Sequence, residues 1–314
     1  MRTRRRAIRV IVATVLVVAT LHTSGLCQGD AAKAAESAVQ WIDRGDLPGA
    51  RRILDEALQR YPQAAALHRI AAILEFKSGH LDAMRRELVR ATECDPKDSD
   101  SYLNLGLLEL GQGRYAQAVP VLKNFTRLKP QDAQGHLLLG RAYLNRNLNL
   151  QAIPEIRSAL ALDPRLPLAH NDLGLAESTL GKNEEALEEF RQEIQVNPSF
   201  GGAYLRAGTI ELEHHRLPEA EELLRQATAH DPNVAAGHFH LAECLLQQQK
   251  PEAAEAEFRH AIALDAKLIR AHYGLAQALQ AQGKKEEARH EFQLHSELIE
   301  RSRKSESGIA AAHE

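Results

Sequence analysis

The stretch Tyr102–Pro130, YLNLGLLELGQGRYAQAVPVLKNFTRLKP, decides how the whole chain reads. Displaced by 34 residues, its pattern returns as HLLLGRAYLNRNLNLQAIPEIRSALALDP, ending at Pro164, and again in copies ending at Pro198 and Pro232. A fixed period of this length marks a chain of stacked units, each too small to bury its own apolar face. With position 1 placed at Ala31, Ala65, Ser99, Ala133, Pro167, Gly201, Ala235 and Ile269, eight copies follow without insertion.

Two columns of that alignment predict how each unit packs. Position 8 is small in every copy: Ala38, Ala72, Gly106, Gly140, Gly174, Gly208, Ala242 and Ala276. Position 20 is alanine except for Met84, and one helical turn later stands a large residue: Leu54, Leu88, Leu122, Ile156, Phe190, Leu224, Phe258 or Phe292. Small against large at facing positions is what two closely crossed helices need. The prolines fall in phase. Pro62, Pro96, Pro130, Pro164, Pro198 and Pro232 close repeats at position 32; Pro48, Pro218 and Pro251 open second helices and Pro167 opens a first helix, where a missing N–H is tolerated. Pro120 and Pro154, at position 22, fall inside second helices and predict a kink in repeats 3 and 4.

These columns together resemble the tetratricopeptide repeat family, whose unit favours an aromatic residue or Leu at position 4, Leu at 7, Gly or Ala at 8, Tyr at 11, Ala at 20, Phe at 24, Ala at 27 and Pro at 32. The resemblance implies an all-α fold, a right-handed α-solenoid superhelix of eight helix-turn-helix repeats at 31–64, 65–98, 99–132, 133–166, 167–200, 201–234, 235–268 and 269–302. The array then occupies residues 28–302, with a charged extension of the last helix and a tail, 303–314, frayed from Ser307. Ser37, Ala71 and Ala207 depart from the pattern at position 7, Phe125, Glu193 and His295 at position 27, and Ala266 and Glu300 at position 32. Repeat 1, with Trp41 in place of Tyr and the polar Ser37, reads as an N-terminal cap.

Residues 1–27 have a different character. MRTRRRAIR is basic, VIVATVLVVATL is apolar and HTSGLCQGD is polar, the three-part layout of a cleaved signal peptide. Export to a periplasm or medium follows as an expectation. Its alternatives are an uncleaved anchor, a lipidated Cys27 and a twin-arginine signal. Of 39 Lys and Arg against 42 Asp and Glu, five arginines lie in this segment, so the remainder is acidic and argues against nucleic acid. Cys94 and Cys244 stand too many helices apart for a disulfide.

The chain offers little chemistry. His68, His136, His170, His238 and His272 all occupy position 4, which makes them architectural, and no three ligands converge as a zinc site requires. Glu75, Glu109, Glu177 and Glu211 share position 11, too far apart for a catalytic carboxylate pair, and read as helix-surface variants of the family's Tyr. No nucleophile motif, phosphate loop or dinucleotide fingerprint is present, so neither an enzyme nor a cofactor is expected.

Stacked repeats of this kind present a concave surface. The resemblance puts positions 2, 5, 9 and 12 of the first helices on it: Leu103, Leu107 and Leu110; Leu137, Arg141 and Leu144; Leu168, Asn171 and Leu175; Leu205, Thr209 and Leu212; Phe239, Glu243 and Leu246. Leucines suit apolar side chains of a peptide, while Arg141 and Asn171 suit its backbone or a carboxylate. The clamp by which some family members grip acidic chaperone tails is missing, since Gln134 and Leu138 stand where it needs basic groups. The reading is an exported, non-catalytic scaffold for a protein or peptide in a bacterial envelope. Alternatives are self-assembly into a homo-oligomer, or a sugar, small ligand or enzymatic site on the groove.

Overall fold

The structure, a computed structural model, describes residues 28–311, with side-chain surroundings for residues 29–303. Residues 1–27, on which the expected signal peptide and Cys27 fall, lie outside the described residues. Within them the chain forms sixteen helices and no strand. They divide into two units that meet in sequence at Leu166 and Pro167, the boundary between repeats 4 and 5.

The first unit contains α1 (Gln28–Asp43), α2 (Leu47–Arg60), α3 (Ala65–Lys77), α4 (Leu81–Cys94), α5 (Ser99–Gly111), α6 (Tyr115–Leu128), α7 (Ala133–Leu144) and α8 (Asn149–Leu162). The second contains α9 (Ala169–Thr179), α10 (Asn183–Val196), α11 (Gly201–Glu213), α12 (Leu217–His230), α13 (Ala235–Gln247), α14 (Pro251–Leu264), α15 (Ile269–Ala281) and α16 (Lys285–Ala311). All second helices begin at position 17. First helices begin at position 1 in repeats 2, 3, 4, 6, 7 and 8. Pro48, Pro218 and Pro251 lie in first turns as anticipated.

Each hairpin turn is built the same way. The residue at position 15 has positive φ in every repeat: Gly45, Gly79, Gly113, Asn147, Gly181, His215, Gln249 and Gly283. The following N–H donates to the carbonyl of position 11, as in Asp46 to Trp41, Arg114 to Glu109 and Lys284 to Leu279. That bond defines a left-handed helix cap which reverses the chain in three residues. Inside each hairpin, position 8 meets position 24. A Cβ on Gly106 would lie 2.4 Å from Leu122, and one on Gly140 would lie 2.5 Å from Ile156. The glycines therefore set how closely the two helices cross.

Three expectations need correction. Pro167 does not open a helix, because α9 begins only at Ala169, with Leu168 at φ 66° outside it. Two prolines three residues apart force extended backbone between them. Buried Glu193 then accepts from the Leu168 N–H at 3.0 Å and the Asn171 N–H at 3.3 Å, capping the delayed helix start. Pro120 and Pro154 lie within α6 and α8, where the register puts them, and both helices continue past them. Helix α16 runs to Ala311, past the residue where fraying was anticipated.

The third correction concerns position 11. Glu75, Glu109, Glu177 and Glu211 are buried, not surface residues. Arg51 and His80 hold Glu75, Arg85 and Arg114 hold Glu109, and Arg191 and Arg216 hold Glu211. Each set joins the preceding repeat's second helix to the hairpin turn of the next. Where position 11 is Leu245 or Leu279 the charges are rearranged: Glu221 pairs with Lys250, and Glu255 with Lys284.

Candidate interaction surface

The faces that carry the anticipated binding residues belong to first helices, and the units are taken in turn. In the first unit Leu103 and Leu110 on α5 and Arg141 and Leu144 on α7 are half-buried and present part of their surface. Leu107 and Leu137 belong to the core, with Leu137 only 1% exposed. In the second unit Leu175 on α9 and Leu205 on α11 are half-buried, whereas Asn171 and Phe239 are buried. The Asn171 side-chain amide donates to Asp172 at 3.3 Å. The period thus identified the right helices, but position alone did not separate core from surface.

Repeats 7 and 8 bring the four columns together around one cavity of about 420 Å³. Glu243, Leu246 and Gln247 line it from α13, and Arg270, Tyr273, Gly274 and Gln277 from α15. These are positions 9, 12 and 13 of one repeat and 2, 5, 6 and 9 of the next. Phe258 forms the floor and His295 closes one side. A Cβ on Gly274 would lie 2.3 Å from the Phe258 ring, so glycine is what lets α15 approach that floor.

Its electrostatics are nearly balanced. The Arg270 guanidinium donates to Glu243 at 2.8 Å and lies over the Phe239 ring, 4.9 Å from its centroid. His240 Nδ1 is 3.0 Å from the other Glu243 oxygen, and the His295 Nδ1–H donates to the Ile269 carbonyl at 3.0 Å. Tyr273 packs edge-on against Phe292 and is still 45% exposed. The cavity therefore offers an apolar wall of Leu246, Phe258 and Tyr273 beside two glutamine amides. That combination suits a side chain anchored in the pocket and a peptide backbone held at its mouth.

A second recess of about 620 Å³ lies at the turn edge of repeats 1 and 2, lined by Arg51, Glu75, His80, Asp82 and Arg86 among others. Burial pushes the Glu75 carboxyl up, but bonds from Arg51 and His80 prevail and hold it below the usual carboxylate range. Arg51, His80 and Glu75 satisfy one another across it, which makes the recess a structural joint.

Sequence reasoning missed Arg270, Tyr273 and Gln277 because it stopped at repeat 7. An aromatic residue at position 5 of the last repeat was the available signal. Among the described residues no group of His, Cys, Asp and Glu is placed to hold a metal ion, and no helix is long and apolar enough to cross a membrane. Both Cys94 and Cys244 are free thiols.

A family model described as tetratricopeptide repeat matches residues 42–99, 103–167, 141–204, 171–227 and 205–269, and a second of the same description matches 269–290. No curated protein matches the chain. Among solved structures the chain is similar to pilF of Pseudomonas aeruginosa, with 20% identity and a TM-score of 0.55 over 63% of this chain and 90% of that one. It is similar to YrrB, a TPR protein with an unusual peptide-binding site, with 19% identity and a TM-score of 0.52 over 59% and 95%. It is also similar to MamA, with 24% identity and a TM-score of 0.50 over 51% and 94%. At such identities the likeness is one of fold. Family models covering residues 42–269 nearly without a break, over helices that keep the period, establish that the chain belongs to the tetratricopeptide repeat family.

Proposed function

We propose that the protein is a non-catalytic scaffold that binds a protein or peptide partner on its first-helix faces. The observation that carries this reading is the cavity of repeats 7 and 8, where positions 2, 5, 9 and 12 converge on an apolar floor with amides at the rim. A peptide-binding site in YrrB, a protein of like fold, supports a peptide as the ligand class. Leu103, Leu110, Leu144, Leu175 and Leu205, half-buried on the same columns, extend the apolar face within their own units.

The proposal places the protein outside the cytosol, in a bacterial envelope, on the layout of residues 1–27. A photo-crosslinking residue at position 273, followed by mass spectrometry, tests the binding reading. One partner should be captured, and its capture should fall when Arg270 and Gln277 are both replaced by Ala. Equal capture from position 289, on an exposed second helix, overturns it. The mass of the isolated protein tests the cleaved-export reading, which expects loss of the basic and apolar leader.

A further inference from the structure

Five of the eight repeats carry His at position 4, and the same five carry Glu at position 23. The other three carry neither: their pairs are Ala34 with Ile53, Tyr102 with Val121, and Tyr204 with Leu223. The residues are swapped together, as a matched pair.

The geometry explains the match. Nδ1 lies 2.7 Å from Glu87 in His68, 2.8 Å from Glu155 in His136, 2.6 Å from Glu189 in His170, 2.7 Å from Glu257 in His238 and 2.7 Å from Glu291 in His272. In His68, His136 and His238 the position of the other ring nitrogen is equally clear. Nε2 of His68, His136 and His238 lies 3.0, 3.2 and 3.0 Å from the carbonyl oxygens of Pro62, Pro130 and Pro232. Those prolines close the preceding repeat. Each ring therefore touches two acceptors, a carboxylate and a carbonyl, and only imidazolium has a donor for both. A neutral ring leaves one lone pair facing another. Tyr204 occupies the same place with its hydroxyl donating to Pro198 at 3.2 Å, with Leu223 where the glutamate would stand and His230 stacked on its ring, centroids 5.2 Å apart.

We propose that these histidines are acid-held clips between successive repeats. Protonated at both nitrogens, position 4 ties the turn closing one repeat to the second helix of the next, and loss of a proton releases one of the two ties.

Charged and aromatic groups surround these rings. The Glu87 carboxylate raises the His68 pKa, burial opposes it and the Pro62 carbonyl adds to it, while Arg90 on the same helix as Glu87 lowers it. Cys94 Sγ approaches the same Pro62 oxygen at 3.9 Å. Glu155 is also within reach of the Lys123 charge. His260 stacks on His238 with ring centroids 4.4 Å apart, and His290 lies 3.8 Å from Glu291. A group whose folded pKa is raised contributes its stability below the unfolded value, about 6.5, and loses it as pH rises through the folded value. The His68 clip is therefore closed in mild acid and released toward alkaline pH.

Two measurements on the full chain test this. Nitrogen NMR of the rings at about pH 6 should show both nitrogens of His68, His136 and His238 protonated. Singly protonated rings there overturn the proposal. The second compares the wild type with a variant carrying the pairs that repeats 3 and 6 already use: His68→Tyr with Glu87→Val, His136→Tyr with Glu155→Val, and His238→Tyr with Glu257→Leu. Between about pH 6 and about pH 9 the wild-type melting temperature should fall by several degrees more than that of the variant. Parallel curves overturn it, and the NMR result decides the matter even if the variant folds poorly.

Discussion

Position 15 shows how one residue can govern a turn. All eight copies need a left-handed backbone there, and five use Gly. Asn147, His215 and Gln249 adopt the same conformation with a Cβ, which costs a non-glycine residue about 1–2 kcal/mol. Gln249 is exposed. Gln249→Gly should therefore stabilise the protein by about 1 kcal/mol, read as a shift in the urea midpoint. The requirement was legible from five glycines in one column. The pairing of positions 4 and 23 was equally legible, as a correlation among repeats, but reading each column singly concealed it. Which leucines on the first helices stay accessible was not legible. Leu137 is buried and Leu144 half-buried, and burial in a stacked array depends on the side chains of neighbouring repeats as well as on the period.

At the scale of helices, the joints between repeats are made of charge as well as apolar contact. A carboxylate buried in such a joint is tolerated because its partners reach it from two directions. Glu109 is 1% exposed, bonded by Arg85 from α4 and faced by Arg114 at 4.0 Å from its own turn. Arg85→Ala leaves that charge poorly matched and should cost about 3 kcal/mol, whereas replacing Glu109 as well should recover part of the loss. Chemical denaturation of both variants checks this. Glu255 sets the acid limit of another joint. Burial opposes its ionisation, but Lys284, Gln282 and Arg259 together bring its carboxyl down from 4.5 to about 2. Its folded value is depressed, so its contribution is complete above about 4.5 and disappears as pH falls toward about 2. Acid denaturation should accordingly be less steep in Glu255→Gln than in the wild type. The helix boundaries of these joints followed from the period almost throughout. Repeat 5 is the exception, because position 1 is a proline there and Leu168 cannot continue the helix backward. The ion pairs were hidden, since one partner of position 11 comes from the preceding repeat.

At the scale of the molecule, stability is distributed. One core gathers Leu212, Phe239, Phe258 and Leu275 in repeats 6 to 8, another Ala35, Leu54 and Leu67 in repeats 1 and 2, and others lie in repeats 2 and 3 and in repeats 5 and 6. Each repeat is held by its neighbours, so a local loss should remain local. Phe258 is fully buried, and Phe258→Ala removes about 3–5 kcal/mol of packing from its own core. Hydrogen exchange should then quicken in residues 235–302 and remain unchanged in residues 31–98. Uniform quickening along the chain would mean that the array unfolds as a single cooperative block.

The uniform starting points of the helices also bear on how such a chain can change length. Every second helix begins 34 residues after the last, and each repeat's closing turn meets the next repeat through backbone groups that any residue supplies. A joint therefore depends little on which repeat precedes it. Excision of residues 235–268 as a block brings Asp231 and Pro232 up to Ile269 with position 4 and position 23 still in step. A deletion that is not a multiple of 34 residues turns the following helices about their axes and points their small residues at solvent. For this chain, length is inherited in whole repeats.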